Sequence, residues 1–501
     1  MITDTLMMTD KMTRFSLFLV VLCSALGWQA SFASTASTMI TVGQTTVMPL
    51  TDIVAIGLPV LCFETVDGEL PTCDYVSAPA GSMGATITNA TKVPGRLVVY
   101  QRIDGLDSVM YDSGDYEKDI SGMTIKLRGN TSAYDAKKPY KIKLQKKADL
   151  LMRGNEATFK DKEWLLLKDD YMTTIVGFKV NELVGMVWTP GHRHVNVVIN
   201  GDYRGPYLLC ESVKRNTDCR LDVDKSGFIF EFDPYWWNED VYVSSGSSPS
   251  YNYTFKYPDP DDILPEQLDY MQTLVRNYEK SVKNGTYTSI IDVESFAKWC
   301  LVHDIAGTQD AGGANLYYSK YDTTDQTPIV MPVTWDFDMA ERTNSAWSLS
   351  HTSHMTTLFN SSNRAFVREY VNAWVKIRSS LVSDVNTFIR GFGNSDEGNA
   401  FQASMDLHKL VYGNTVSVSG FVAWHAGWFI SRQPWLDGAI MPMNPLGDVN
   451  VDSKVDVGDV TALIDLILTS ATNYSWAADL NNDDMLDVSD VTTLIQMILD
   501  H

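Results

Sequence analysis

The 501-residue chain reads as an α+β protein, an antiparallel sheet followed by a helical half, with a small all-α module at its C-terminal end. Three observations predict this. Period-two alternation over 96–101, 123–128, 139–144, 195–199 and 207–209 marks strands in the first half, and Asn200-Gly201 is a hairpin turn. From Gln267 on, the apolar spacing becomes mostly helical, as in 295–304 and 365–390. From Leu446, the chain repeats itself at an offset of 31 residues.

A chain of this length exceeds one ordinary core. With 45% hydrophobic and 11% aromatic residues, most of it is expected to fold. The expected divisions are a signal peptide at 1–33, a Thr/Ser-rich lead-in at 34–57, a large domain at 58–440 and a terminal domain at 446–501. The leader follows from Lys11 and Arg14, the apolar run Phe15 to Leu26, and the small-residue site ending at Ala33. Export is therefore expected. No other run approaches the 18 apolar residues of a membrane span, so an integral membrane protein is not expected.

The net charge of −22 argues against nucleic acid as a partner, which requires a basic surface. Export permits disulfides. Closeness in sequence suggests Cys62–Cys73 and Cys210–Cys219, while Cys300 sits in a helical run and reads as a buried thiol.

The terminal segment from Leu446 holds eleven Asp and one Lys. Asp448, Asn450, Asp452, Asp456 and Asp459 align with Asp479, Asn481, Asp483, Asp487 and Asp490. These are positions 1, 3, 5, 9 and 12 of a twelve-residue calcium loop, with the carbonyls of Lys454 and Met485 at position 7. Alternate side chains of a tight loop converge on one point, and calcium accepts six to eight oxygens. Position 6, usually Gly, is Ser453 or Asp484, which predicts strain. After each loop comes an apolar stripe, Val460, Leu463, Ile464 and Ile467, then Val491, Leu494, Ile495 and Ile498. The double pattern resembles type I dockerins. That resemblance implies two Ca²⁺ ions, a cohesin-type protein module as partner, and a secreted bacterial protein in an extracellular or cell-surface complex.

In the large domain, Lys141 and Lys143 share one strand face, with Tyr140, Ile142 and Leu144 on the other. A lysine face beside the polar loop 130–136 suits phosphate; a solvated strand face is the alternative. Asp310 and Asn315 have the D-x-x-x-x-N spacing that kinases use for catalytic base and metal ligand. Asp336 and Asp338 follow an apolar strand expected at 329–333, and such carboxylates suit Mg²⁺ or Mn²⁺ on ATP oxygens. As residues i and i+2 of a strand they would face the same way, so either could be the ligand.

Five motifs in order resemble the spore coat protein H (CotH) kinase family. They are Arg128-Gly-Asn-Thr-Ser132, Lys137-Lys-Pro-Tyr-Lys-Ile-Lys143, Trp164-Leu-Leu-Leu, Asn200-Gly-Asp-Tyr-Arg-Gly-Pro-Tyr207 with Glu211, and Pro332-Val-Thr-Trp-Asp-Phe-Asp338. Arg432-Gln-Pro-Trp-Leu-Asp437 is similar to that family's end. The resemblance implies an atypical protein-kinase fold and phosphoryl transfer from ATP to a protein hydroxyl. It implies Lys143 on phosphate, Asp310 as base or metal ligand, and Asn315 with Asp336 or Asp338 on the metal. Glu211 either orients the lysine or lines the nucleotide pocket, or else forms a structural ion pair. Ordinary His-Arg-Asp and Asp-Phe-Gly signatures are absent from the sequence. A non-catalytic scaffold with the same fold is one alternative. A carbohydrate-active enzyme with an acid/base pair drawn from Asp310, Asp336 and Asp338 is another. His192 and His194 lack a third zinc ligand at suitable spacing, and Trp236-Trp237 reads as core rather than a sugar platform.

Overall fold

The computed structural model describes residues 38–82, 84–154, 156–246, 251–309, 311–312, 315–348, 353–414, 416–472 and 474–500. The expected signal peptide and Asp310 lie outside the described residues.

The first half contributes strands β1 (Met39–Val42), β2 (Thr46–Pro49), β3 (Val60–Thr65), β4 (Asp74–Ser77), β5 (Ala85–Thr88) and β6 (Val93–Ile103). β7 (Leu106–Asp112), β8 (Met123–Leu127), β9 (Tyr140–Ala148), β10 (Asp161–Leu167), β11 (His192–Ile199) and β12 (Asp202–Glu211) follow. Helices α1 (Leu50–Ala55), α2 (Glu156–Phe159) and α3 (Thr173–Val184) interrupt them. Ten strands form one sheet in the order β10-β9-β8-β6-β3-β11-β12-β1-β2, with β7 beside β6. β10 also pairs with β12, which closes seven strands into a barrel. Pairing is antiparallel except for β3 with β11 and β1 with β12. The expected lead-in is therefore partly built into the sheet, because β1 and β2 extend its β12 edge.

Alternation explains the barrel. Tyr140, Ile142 and Leu144 enter its interior with Ile125, Trp164, Val197 and Leu209, while Lys141 and Lys143 face out. Asn200 and Gly201, at φ 51 and 79, make the left-handed turn that joins β11 to β12.

The outer face of the barrel packs on a second body. Its five-stranded sheet has the order β14-β15-β13-β16-β17, from β13 (Phe228–Phe232), β14 (Val243–Ser244), β15 (Asn252–Tyr257), β16 (Leu316–Lys320) and β17 (Ile329–Val330). Around it lie α4 (Pro265–Asn284), α5 (Val293–Ala306), α6 (Ser353–Phe359), α7 (Ala365–Arg378), α8 (Leu381–Gly393), α9 (Asp396–Tyr412) and α10 (Val418–Ile440). Two expectations are corrected here. The helix expected over 365–390 is two helices, broken at Ser379-Ser380, residues whose side chains compete with helical hydrogen bonds. The strand expected over 329–333 stops at Val330, because Pro332 has no N–H to continue a ladder.

The terminal module is a pair of helices, α11 (Val457–Leu468) and α12 (Val488–Leu499), with Leu463 and Leu494 in its small core. Of the predicted stripes, Ile464 and Ile495 remain exposed. All five described cysteines are thiols, so neither suggested disulfide is present; Cys300 is buried as expected.

Candidate functional site

A cavity of about 850 Å³ separates the outer face of the barrel from the second sheet. The barrel wall supplies Lys126 from β8, Lys141 from β9, and Arg128 from the loop after β8. Register explains the two lysines: Lys126 pairs directly opposite Lys141, and directly opposed residues share a face. The other wall supplies Glu231, Lys256 and Tyr317 from β13, β15 and β16, and Asn315 just before β16. Asp336 and Asp338 come from the irregular segment after β17.

The two carboxylates are brought together by a turn rather than by strand alternation. Asp336 adopts a left-handed φ of 62, which Asp tolerates better than most residues. Between them, Phe337 is fully buried. It packs on α3 at Gly177, where a Cβ would stand 2.2 Å from the ring, and its ring lies 5.6 Å from that of His303 on α5. The turn is thus anchored in the core while its acids face the cavity. Asn315 donates from Nδ2 to Asp336 Oδ2 over 3.4 Å. Burial, and then the adjacent Asp336 carboxylate, push Asp338 up to about 7. Two carboxylates and an amide oxygen are the hard donor set that Mg²⁺ or Mn²⁺ takes.

Opposite them, burial pulls the Lys141 ammonium down to about 8. Glu163 on β10 holds it at 2.7 Å and also receives Lys214 at 2.9 Å and Lys143 at 3.9 Å. Burial raises the Glu163 carboxyl, but Lys141 and Lys214 outweigh it and set it at about 2. A second ion pair, Lys256 with Glu231 at 2.5 Å, crosses the opposite wall.

The sequence-predicted residues divide accordingly. Asn315, Asp336 and Asp338 share the cavity. Lys143 shares the face of Lys141, but its side chain is 53% exposed and lies beyond the residues that line the cavity. Glu211 is on the other side of the sheet, in register with the barrel-interior Trp164. There it pairs with Arg153 at 3.0 Å and accepts from Gly191 N at 2.8 Å, so it is an internal ion pair and not a cavity residue. Sequence reasoning missed Lys126, Arg128, Glu163 and Lys256. Only Arg128 carried a signal, heading the Arg-Gly-Asn motif. His194 lies buried between Asp169 and Glu397, 3.6 and 3.4 Å away.

A family model described as CotH kinase protein matches residues 125–384, more than half of the chain. The chain belongs to the CotH kinase protein family. The matched CotH segment contains Lys126, Arg128 and Lys141 as well as all three of Asn315, Asp336 and Asp338. A second model, Dockerin type I domain, matches residues 446–499. No curated protein matches the chain.

Dockerin type I domains bind calcium, and the loops of this one repeat their geometry. Asp448 accepts from Asp452 N and Ser453 N at 2.9 Å each, and Asp479 accepts from Asp483 N and Asp484 N at 3.2 and 3.0 Å. Asp459 closes the first loop by accepting from Asn450 N and Asp456 N, as Asp490 does from Asn481 N and Asp487 N in the second. Asp456 and Asp487 cap α11 and α12. Position 6 is left-handed as predicted, with φ 71 at Ser453 and 60 at Asp484. Among the described residues no three acidic, His or Cys side chains already converge as a metal cluster. A calcium ion bound there could also take the amide oxygens of Asn450 and Asn481 and the carbonyls of Lys454 and Met485. Asp448, Asp459 and Asp490 are wholly buried, with no basic partner among the described residues, which suits a cation that neutralises them.

Proposed function

We propose that the CotH domain is a kinase that transfers the terminal phosphoryl group of ATP to a protein hydroxyl, and that its dockerin docks it to a cohesin-type module outside the cell. One observation carries the kinase reading: Asn315, Asp336 and Asp338 share a single cavity with Lys126, Arg128 and Lys141.

A divalent cation bound there would neutralise phosphate charge. Asn315, Asp336 and Asp338 would hold it. Lys141 and Arg128 bind phosphate oxygens, with Glu163 keeping the Lys141 ammonium in place. Asp310 takes the proton from the acceptor hydroxyl as its oxygen attacks the terminal phosphorus and ADP leaves. Lys143 has a lesser share, guiding charge at the rim.

For docking, α11 and α12 expose matching apolar side chains at the same offset of 31: Val457 with Val488, Ile464 with Ile495, and Leu468 with Leu499. Such a face suits a protein partner. The domains proposed are CotH at 58–440 and dockerin at 446–501, in a mature chain that starts after Ala33.

The test is incubation of the full chain with labelled ATP and Mg²⁺ or Mn²⁺, with nucleotide titrated in a calorimeter alongside. Incorporation into protein, lost in Asp336→Ala, is expected. A calorimeter trace without nucleotide heat in either metal would end the kinase reading.

A further inference from the structure

The two calcium loops agree at every predicted ligand position, yet they differ at position 4. The first loop has Val451 and the second Asn482. Both are left-handed, at φ 61 and 57. Asn tolerates that conformation, whereas a β-branched residue is strained in it. Val451 is nevertheless 4% exposed, and it belongs to the large core of the CotH domain rather than to the small dockerin core. Asn482 is exposed. Burial against the CotH body offsets the strain in one loop only.

Hydrogen bonds fasten the same contact. Asn372 on α7 donates from Nδ2 to Tyr474 O at 3.0 Å and accepts from Trp476 N at 2.8 Å. Trp476 packs on the CotH core and donates from its ring N–H to Asn444 O at 3.1 Å. Asn444 is wholly buried, and its Nδ2 donates to the carbonyl of Asp448, the first residue of the calcium loop, at 2.7 Å. No long linker intervenes, since α10 ends at Ile440 and the loop starts at Asp448.

From there the contact reaches toward the cleft. Tyr370, on the side of α7 away from Asn372, donates from its hydroxyl to Asp304 Oδ2 on α5 at 2.8 Å. α5 ends at Ala306, shortly before Asn315. We propose that the first calcium loop is a plug on the CotH domain, so that calcium bound there stabilises α7 and α5 as well as the dockerin. The proposal rests on the calcium reading of the loops. Its physical basis is linkage: a ligand that binds only the ordered loop stabilises whatever the loop is packed into.

The experiment is hydrogen exchange on the full chain, with calcium and after chelation, beside a calorimetric calcium titration. Calcium is expected to slow exchange across 365–378 and 293–306 by at least about tenfold. Val451→Asn gives the first loop the residue of the second without touching a ligand. Asn372→Ala cuts the contact from the CotH side. Both variants are expected to bind calcium and to lose the protection in α7 and α5 while keeping it in α11 and α12. Calcium heat without added protection of α7 and α5 in the native chain, or full protection in both variants, overturns the plug while leaving the calcium reading intact. A chain that takes up no calcium overturns both.

Discussion

Lys141 Nζ stands 2.7 Å from Glu163 Oε2 on adjacent strands of the barrel, and Lys141 is the member of the pair that lines the cavity. If this lysine grips phosphate, Lys141→Met weakens nucleotide binding at least about tenfold, the scale of a lost charge-assisted contact. Lys143→Met changes it by less than about threefold, because an exposed lysine contributes little. Calorimetric titration of ATP into the two variants distinguishes them.

The same lysine sets a pH limit. Burial lowers its folded pKa to about 8, so the ammonium is complete below that value and is lost as pH rises through it. Nucleotide affinity is expected to fall above about pH 8, where an ordinary lysine would hold its charge to about pH 10. A pH series of binding curves should show the fall in the native chain and its absence in Lys141→Met.

Asp336→Asn and Asp338→Asn should each lower metal-dependent phosphoryl transfer on the order of 10² or more, as loss of one preorganised charge does. Thermal melting should show them folded, since Phe337 and not the acids anchors the turn.

His303 sits wholly buried on α5 and His408 on α9, and burial pulls their imidazoles down to about 3 and about 4. In the unfolded chain both take a proton near pH 6.5. The unfolded state therefore binds more protons between these values, and stability is full above about pH 6.5 and falls as pH drops toward 4. In urea titrations, His303→Leu should flatten that slope by about 1.4 kcal/mol per pH unit, one proton's worth.

At position 6 of the first calcium loop, Ser453 is held at φ 71. Ser453→Gly relieves that conformation at no loss of its backbone N–H bond to Asp448. A gain of about 0.5–1 kcal/mol in calcium-loaded stability is expected, read as a higher melting temperature of the terminal module.

Much of this was legible locally. Alternation at Tyr140-Lys-Ile-Lys143 told which side chains face out, because strand periodicity is a property of the backbone alone. The duplicated calcium-loop pattern was legible for the same reason, each repeat lying within twelve residues. The pairing of Lys126 with Lys141 was not, because register between distant strands depends on the whole barrel closing. For Glu211 the sequence left two readings open, a pocket residue or a structural ion pair, and the strand it sits on turns it inward to Arg153.

By itself the sequence determined the two families, the order of sheet and helices, the duplicated calcium-loop pattern, and the carboxylates of the cleft. Tertiary structure alone decided which lysine the cleft receives, how Asp336 and Asp338 meet across a turn, and that a valine of the first calcium loop is buried in the CotH core. The physical reason is range. Short-period patterns and compact loops are written in adjacent residues, whereas a cavity wall or a plug is made by surfaces far apart in the chain that only packing brings into contact.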